Sequence, residues 1–324
     1  IMVNLECLLH PMKKIKIGIT GAGSFAQSFI PLFKAHPNVT SVALAEVLPE
    51  RRHDVAAEFQ IEDTYESHEA LCSSDVDAVA IITQRHMHGP QAVEALNKGK
   101  HVYSAVPAAI TVEEIEELVS TVTATGLMYM MGETSFYYPA ALYCRERFSK
   151  GEFGAFVYGE GEYLHDMSHG FYEAYQHSGG EEWQKVAGIP PMYYPTHSTS
   201  MIISVTGASL TQVSCLGYTD RNEDNVFGRD KNLWDNPFSN QTALFRTSDG
   251  GMCRVNEFRR IGHGVGNCVR TSIYGTEGCF EQQGNALFWT ELDRSKLELS
   301  DLLRCRKLDS EAKPELVGGE QDDF

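Results

Sequence analysis

Long apolar runs are missing from this chain. None approaches the ~20 residues that a membrane-spanning helix needs, so no membrane partner is expected. Basic clusters are missing too. The 27 Lys and Arg stand against 44 Asp and Glu, a formal net charge of −17. Such a surface repels nucleic acid and anionic lipid, and no nucleic-acid partner is expected. The eight cysteines (7, 72, 144, 215, 253, 268, 279 and 305) include no C-x-x-C pair. That reads as reduced thiols of a cytoplasmic protein, not as a disulfide frame or a zinc site. His86 and His88 lie two apart and His165 and His169 four apart, but neither pair has a third ligand at motif spacing, so no metal is expected. Internal repeats and low-complexity tracts are absent. What is there is ordinary: 324 residues, 42% hydrophobic and 22% charged, enough for two domains with sizeable cores. Residues 1–11 begin with Ile and read as an added or upstream extension, with Met12 the expected functional start. Lys13 and Lys14 follow its apolar part, which is not a signal-peptide layout.

The chain is organised around Lys14–Phe29, KIKIGITGAGSFAQSF. Ile15, Ile17 and Ile19 mark a short buried strand that opens into Gly-Ala-Gly and then a helix, Phe25–Ala35. Gly21, Gly23 and Ala26 fill the G-x-G-x-x-G/A fingerprint of a dinucleotide-binding βαβ unit, with Ser24 and Phe25 at the start of the helix. The first glycine permits the turn, the second lets backbone N–H groups approach a pyrophosphate, and the small third residue lets helix and strand pack closely. The pyrophosphate then lies at a helix N-terminus, which favours anions. An ordinary strand–helix turn that needs glycine is the alternative. Strand Val39–Glu46 follows, and Glu46 ends it 23 residues after Gly23. A carboxylate there accepts hydrogen bonds from the adenosine ribose and repels a 2′-phosphate, so NAD is expected rather than NADP. Arg51 and Arg52, just beyond, keep NADP open. The alternative for Glu46 is a strand-end charge facing water.

Strands and helices alternate up to about residue 132. Helices are expected at Pro49–Phe59, Ser67–Leu71, Pro90–Lys98 and Thr111–Thr125, strands at Asp77–Thr83, Lys100–Ser104 and Leu127–Met131. Thr111 should cap its helix and Gly126 end it. The pattern implies a doubly wound, parallel α/β sheet, a Rossmann domain over 12–134. The second half, 135–324, changes character. A helix near Tyr138–Phe148 leads into strands Gly154–His165, Thr211–Tyr218, Thr242–Thr247, Met252–Arg260, Val269–Tyr274 and Ala286–Thr290. These read as a large antiparallel sheet with a few helices, one of them His197–Thr206. Asp166–Tyr194 reads as irregular, Asp220–Pro237 as a surface loop, and the acidic tail from Glu311 as poorly ordered. Trp183 and the run Phe136–Tyr138 read as core or rim packing.

From Lys14 to about Glu281 the chain resembles the Gfo/Idh/MocA family of NAD(P)-dependent sugar oxidoreductases. GITGAGSFA is similar to the family's cofactor loop. DAVAIITQRHMHGPQAVEAL is similar to its fourth strand and following segment, with Thr83 and His88 in register and Gln84 between them. GKHVYSAVPAAITVEEIEEL is similar to the segment around its Glu-Lys-Pro signature, and Glu133 follows the next strand. The resemblance implies a Rossmann domain, a second α/β domain whose open antiparallel sheet packs on another subunit, and cofactor contacts from Thr83, Gln84, His88, Ala105 and Glu133. One departure stands out. The signature is Ala105, Val106 and Pro107 here, and valine cannot carry the proton that the family's lysine relays.

Other words resemble the branch of NAD-dependent α-N-acetylgalactosaminidases: Ser104 with Val106–Ala109, Met130–Glu133, Tyr-x-His-Asp (Tyr163–Asp166) and Tyr-Pro-Thr-His (Tyr194–His197). That resemblance implies hydrolysis by transient oxidation at C3 and elimination, an exception to the two-carboxylate rule. It implies Glu133, Tyr163, His165, Tyr194 and His197 as site residues. Ala105 stands where this branch has Glu, and Thr134 where it has Asn. Read from the residues alone, Tyr163 and His165 share one face of a strand end, and Tyr194 and His197 bracket a helix start set by Pro195. Both residue types exchange protons and bind sugar hydroxyls. Structural histidines and packing tyrosines are the alternative. Three functions follow: an NAD-dependent oxidoreductase acting on a sugar with a non-lysine acid/base, an NAD-retaining glycosidase, or a non-enzymatic NAD or sugar sensor. A homo-oligomer built through an apolar sheet face is expected, and the chain looks short at its C-terminus for this family.

Overall fold

The computed structural model describes residues 14–263, 268–284 and 286–299. The extension 1–11, Met12 and the tail from Glu311 lie outside the described residues. The chain divides into two compact units, with the boundary between Gly132 and Glu133.

The first unit alternates strands and helices: β1 (Ile15–Thr20), α1 (Ser24–Ala35), β2 (Val39–Ala45), α2 (Pro49–Glu58), β3 (Thr64–Tyr65), α3 (His68–Cys72), β4 (Ala78–Ile81), α4 (His88–Asn97), β5 (His101–Ser104), α5 (Val112–Thr125) and β6 (Tyr129–Met131). The six strands form one parallel sheet in the order β3-β2-β1-β4-β5-β6. Helices cover both faces, which is why β2 and β4 read as nearly unbroken apolar runs: Leu44, Val79 and Ile81 are fully buried. The helix signals act as expected. Thr111 Oγ1 accepts the Glu114 backbone N–H at 3.2 Å, and Gly126, at φ +65°, ends α5.

The second unit holds α6 (Pro139–Ser149), β7 (Phe156–Leu164), α7 (Tyr172–Gly179), α8 (Trp183–Ala187), α9 (Thr196–Thr206), β8 (Leu210–Thr219), β9 (Phe238–Thr247), β10 (Met252–Phe258), β11 (Val269–Gly275), β12 (Gly278–Gln283), β13 (Ala286–Glu291) and β14 (Lys296–Glu298). They make an eight-stranded sheet, β14-β13-β12-β11-β7-β10-β9-β8. It is not purely antiparallel, because β7 and β10 pair in parallel at its centre. The fold is thus α/β: a doubly wound parallel sheet followed by a mixed sheet with helices. Helix α9 lies against one face of the mixed sheet. A side chain at Gly161 would meet the Ser198 carbonyl oxygen at 2.1 Å, so glycine there lets α9 rest directly on β7.

Three expectations need correction. Asp166–Tyr194 is largely helical. Gly170 (φ +95°) and Gly180 (φ +61°) break it into pieces too short to show a period, and burial of Met167, Tyr175 and Ala187 against Val226 and Phe227 holds them. Asp220–Pro237 has no helix or strand, yet it is more than surface. Val226 and Phe227 are buried, and Asn232 and Asn236 use their amides on the carbonyls of Val226 (2.9 Å) and Gly188 (3.1 Å). The sheet face opposite α9 is not simply apolar. Arg254 pairs with Glu160 (3.1 Å) and Glu162 (3.3 Å), and Arg270 with Glu162 (3.1 Å). Exposed Leu216, Leu244 and Met252 continue it toward the β8 edge.

Candidate functional site

The glycine fingerprint of the first unit divides its labour. Gly21 has φ +97°, and a side chain on it would meet the Ile82 carbonyl oxygen at 2.2 Å. Local geometry alone demands glycine here. Ala26 is 1% exposed and packs with Ile82, Ala105 and Phe29, which sets α1 close on the sheet. Gly23 differs: φ is −68°, and a side chain on it would meet nothing within 4 Å. The fold does not need glycine there. The open space lies at the start of α1, and Gly23 gives that helix no side-chain cap. These are the features of a dinucleotide cradle, and the residues fit a bound pyrophosphate. Ser24 and Phe25 are exposed beside it, with the Phe25 ring against Phe29.

Glu46 is buried, and both its oxygens hold backbone. Oε2 accepts Ala22 N–H and Oε1 accepts Leu48 N–H, each at 3.0 Å. Arg51 Nη1 lies 3.7 Å from Oε2. A carboxylate has about four acceptor sites, so a ribose hydroxyl and this backbone role are compatible. Thr83 Oγ1 donates to Gln91 Oε1 at 2.6 Å, and Gln84 opens a short 3-10 turn, Arg85–Met87. His88 is 1% exposed. Its Nδ1 is 2.8 Å from the Pro107 carbonyl oxygen and its Nε2 3.1 Å from that of Thr83. Burial pushes its pKa down to about 4. As a neutral ring His88 has one N–H, so it donates to one of these two carbonyl oxygens and packs its other nitrogen beside the second. Ala105 and Val106 are both buried.

In the second unit, side chains far apart in sequence converge. Glu133, Tyr163, His165, Tyr194 and His197 are all buried. Glu133 Oε1 accepts Ser135 N–H at 2.8 Å and lies 2.7 Å from His197 Nδ1. A carboxylate accepts only, so Nδ1 carries the proton, which it also directs toward Ser135 Oγ at 3.2 Å. Nε2 is then a lone pair, and Tyr194 Oη donates to it at 2.6 Å. Burial raises the Glu133 pKa, but the hydrogen bonds from His197 and the Ser135 backbone outweigh it and the net shift is downward. The result is a carboxylate–imidazole–phenol chain with one polarity. The carboxylate fixes ring and tautomer, and the imidazole is ready to take the phenol proton.

A second pair lies beside it. His165 Nε2 is 2.6 Å from the His169 carbonyl oxygen and so donates to it, which leaves Nδ1 to accept Tyr163 Oη at 2.7 Å. Phe171 stacks on His165 with centroids 4.1 Å apart. The Tyr163 ring meets His197 edge-on at 4.9 Å and Tyr194 at 6.1 Å. Two phenol–imidazole pairs thus share one buried cluster. The structure brings the five expected residues of this unit together. Glu133, read both as catalytic and as a cofactor contact, has its observed partners within the second unit.

The sequence reading missed Glu257, Arg259 and Ser198. Glu257 is fully buried, accepts the Ser198 hydroxyl and pairs with Arg259 at 2.8 Å. The signal was available: Glu257 falls in the inward register of β10 with Cys253 and Val255, and a charge on that face calls for a partner. Among the described residues, no group of three or more His, Cys, Asp or Glu side chains could hold a metal ion. No described helix is long and apolar enough to cross a membrane.

Known proteins are similar to parts of this chain. A glycosyl hydrolase family 109 protein of Saccharopolyspora erythraea is 30% identical over 197 residues, 56% of this chain and 42% of that protein. An alpha-N-acetylgalactosaminidase of Bacteroides fragilis is 38% identical over 135 residues, 40% of this chain and 32% of that protein. The chain thus spans less than half the length of these relatives. Among solved structures, scyllo-inositol dehydrogenase from Lactobacillus casei with bound NAD(H) and scyllo-inositol superposes with a TM-score of 0.65 at 23% identity, over 82% of this chain and 75% of that one. That likeness is one of fold. The model of the oxidoreductase family with the NAD-binding Rossmann fold matches residues 15–133. The cradle at Gly21–Ala26 lies inside the matched stretch, so residues 15–133 are similar to the NAD-binding Rossmann domain of the Gfo/Idh/MocA oxidoreductase family.

Proposed function

We propose that the protein is an NAD-dependent oxidoreductase acting on a sugar or sugar derivative, with proton transfer by the tyrosine–histidine cluster instead of a lysine. The observation that carries this reading is the chain Glu133–His197–Tyr194, with 2.7 and 2.6 Å contacts of matching polarity. When bound, NAD supplies the hydride acceptor. The protein's share is the proton. A sugar hydroxyl gives its proton to Tyr194 Oη as the phenol proton passes to His197 Nε2, and Glu133 stabilises the imidazolium. Tyr163, backed by His165, is the second group able to move a proton. Val106 cannot take part. NAD is assigned over NADP because Glu46 would repel a 2′-phosphate at the ribose.

The glycosidase reading is favoured by two relatives' names and by the Tyr163–Asp166 and Tyr194–His197 words. In it the same cluster removes the proton beside the transient ketone. The two readings part on cofactor use. Purified protein is incubated with aryl glycosides and with free sugars, with and without added NAD. NADH formation from free sugars supports the oxidoreductase, and aryl release without added NAD supports the glycosidase. Bound NAD with neither reaction would leave a sensor. Two further parts belong to this proposal. The free cysteines suit a reducing cytoplasm. The sheet face carrying Leu216, Leu244 and Met252 beside the Arg254 ion pairs suits a homo-oligomer.

A further inference from the structure

One buried ion pair lies outside the proton-transfer scheme above. Arg259, just past the end of β10, is 6% exposed and Glu257 is fully buried. Removing two charges from water is costly, and only close pairing with further hydrogen bonds repays it. The guanidinium Nη2 donates to Glu257 Oε2 at 2.8 Å, and Ser198 of α9 donates to the other carboxylate oxygen. A third donor, Nη1, reaches the Phe258 carbonyl oxygen at 3.2 Å. These bonds hold the plane against the aromatic cluster. Arg259 Cζ is 4.6 Å from the centroid of Tyr163, 5.7 Å from Phe171 and 5.9 Å from Tyr194. Strand register agrees, since Glu257 is the Cα partner of Tyr163 across β10 and β7.

We propose that Arg259, held by Glu257 and laid against the Tyr163 ring, is a positioning residue that stabilises the Tyr163 phenolate and so fits Tyr163 to exchange a proton. The proposal rests on the reading of this cluster as the reacting site. A cation over an aromatic face is attracted to it, and far more so when the ring carries negative charge in a poorly solvated place. Other charged and titratable groups face Tyr163 among the described residues. His165 accepts its hydroxyl, His197 and Tyr194 meet its ring, and Glu133 acts through His197. Cys268, ahead of β11, is a thiol that burial pushes up to about 11. Burial also pushes Glu257 up to about 7, with Arg259 and Ser198 pulling it back, so the carboxylate is charged at alkaline pH and keeps the guanidinium in place.

The test needs no substrate. Full-length protein labelled with [ζ-13C]tyrosine is titrated by NMR, and the Tyr163 resonance is assigned by its loss in Tyr163→Phe. In the native protein Tyr163 should ionise below the ordinary tyrosine value of about 10. Replacing the pair by neutral groups of similar shape, Arg259→Met with Glu257→Gln, should raise that midpoint by about one pH unit or more, and Arg259→Lys should keep most of the shift. If the double variant does not fold, Glu257→Gln alone serves. It leaves the cation uncompensated, and the midpoint should fall further. A native Tyr163 still protonated at pH 10, or a midpoint unmoved in the folded double variant or in Glu257→Gln, overturns the proposal. Once a substrate is known, the corresponding limb of the rate against pH should move with the resonance. If the resonance moves and the limb does not, the effect of Arg259 stands and the assignment of Tyr163 to proton transfer fails.

Discussion

His88 makes a sharp test of how the first unit is held together. It is buried between the carbonyl oxygens of Pro107 and Thr83, and burial pushes its pKa from 6.5 down to about 4. In the unfolded chain the ring titrates near 6.5. Between these values the unfolded chain binds the proton and the native unit does not. Stability from a neutral His88 is therefore fully present above pH 6.5 and is lost as pH falls toward 4. A shift of this size, at about 1.4 kcal/mol per pH unit, amounts to roughly 3 kcal/mol. His88→Gln removes the titration while its amide still donates to one carbonyl. All three tryptophans, 183, 234 and 289, lie in the second unit, so fluorescence does not report on the first. Hydrogen exchange of β4, β5 and α4 amides, corrected for intrinsic rates and read from pH 7.5 to 4, is the suitable assay. The variant should be less stable than wild type at pH 7.5, and the gap should close or reverse by roughly 3 kcal/mol at pH 4. His68 is also buried with a lowered pKa, but it is common to both proteins and cancels. Parallel curves for the two would refute the reasoning.

The two cradle glycines should separate fold from binding. Gly21→Ala should destabilise the first unit by at least about 2 kcal/mol, from left-handed strain and the Ile82 contact. Gly23→Ala should change stability by less than about 1 kcal/mol while lowering NAD affinity at least tenfold by calorimetry; unchanged affinity would remove the pyrophosphate from this position. Glu46→Ala should narrow the preference for NAD over NADP by roughly 1–3 kcal/mol, and tighter binding of NADP by wild type would contradict the ribose assignment. Light scattering at micromolar concentration should give a multiple of 36.1 kDa, and the monomer mass would count against the sheet-face interface.

The first unit was legible because local rules governed it. Thr111 and Gly126 mark α5 at both ends, and the apolar runs of β2 and β4 report a sheet covered on both faces. At Gly21 the turn that the fingerprint implies does require glycine. At Gly23 the sequence showed a glycine, and only the coordinates show that protein packing does not require it. The resemblance puts His88 with the cofactor, and its observed neighbours are the Pro107 and Thr83 carbonyl oxygens. The second unit was harder because its contacts are long-range. Neighbouring positions hinted at the Tyr163–His165 and Tyr194–His197 pairs, but Glu133 meets His197 across 64 residues. No spacing rule reports that. The parallel β7–β10 pairing has the same cause: strands 90 or so residues apart carry no local sign of direction. The short helices α7 and α8 show no period over one or two turns.

The central claim is that the buried chain Glu133–His197–Tyr194 moves the proton in NAD-coupled sugar chemistry. The most direct measurement compares His197→Ala with wild type on whichever substrate the aryl glycoside and sugar panel yields, with NAD affinity followed by calorimetry. A positioned acid or base contributes about 10²–10⁴-fold in rate. The expected result is a loss of at least the lower figure in kcat with NAD affinity nearly unchanged. Full turnover by His197→Ala would contradict the claim.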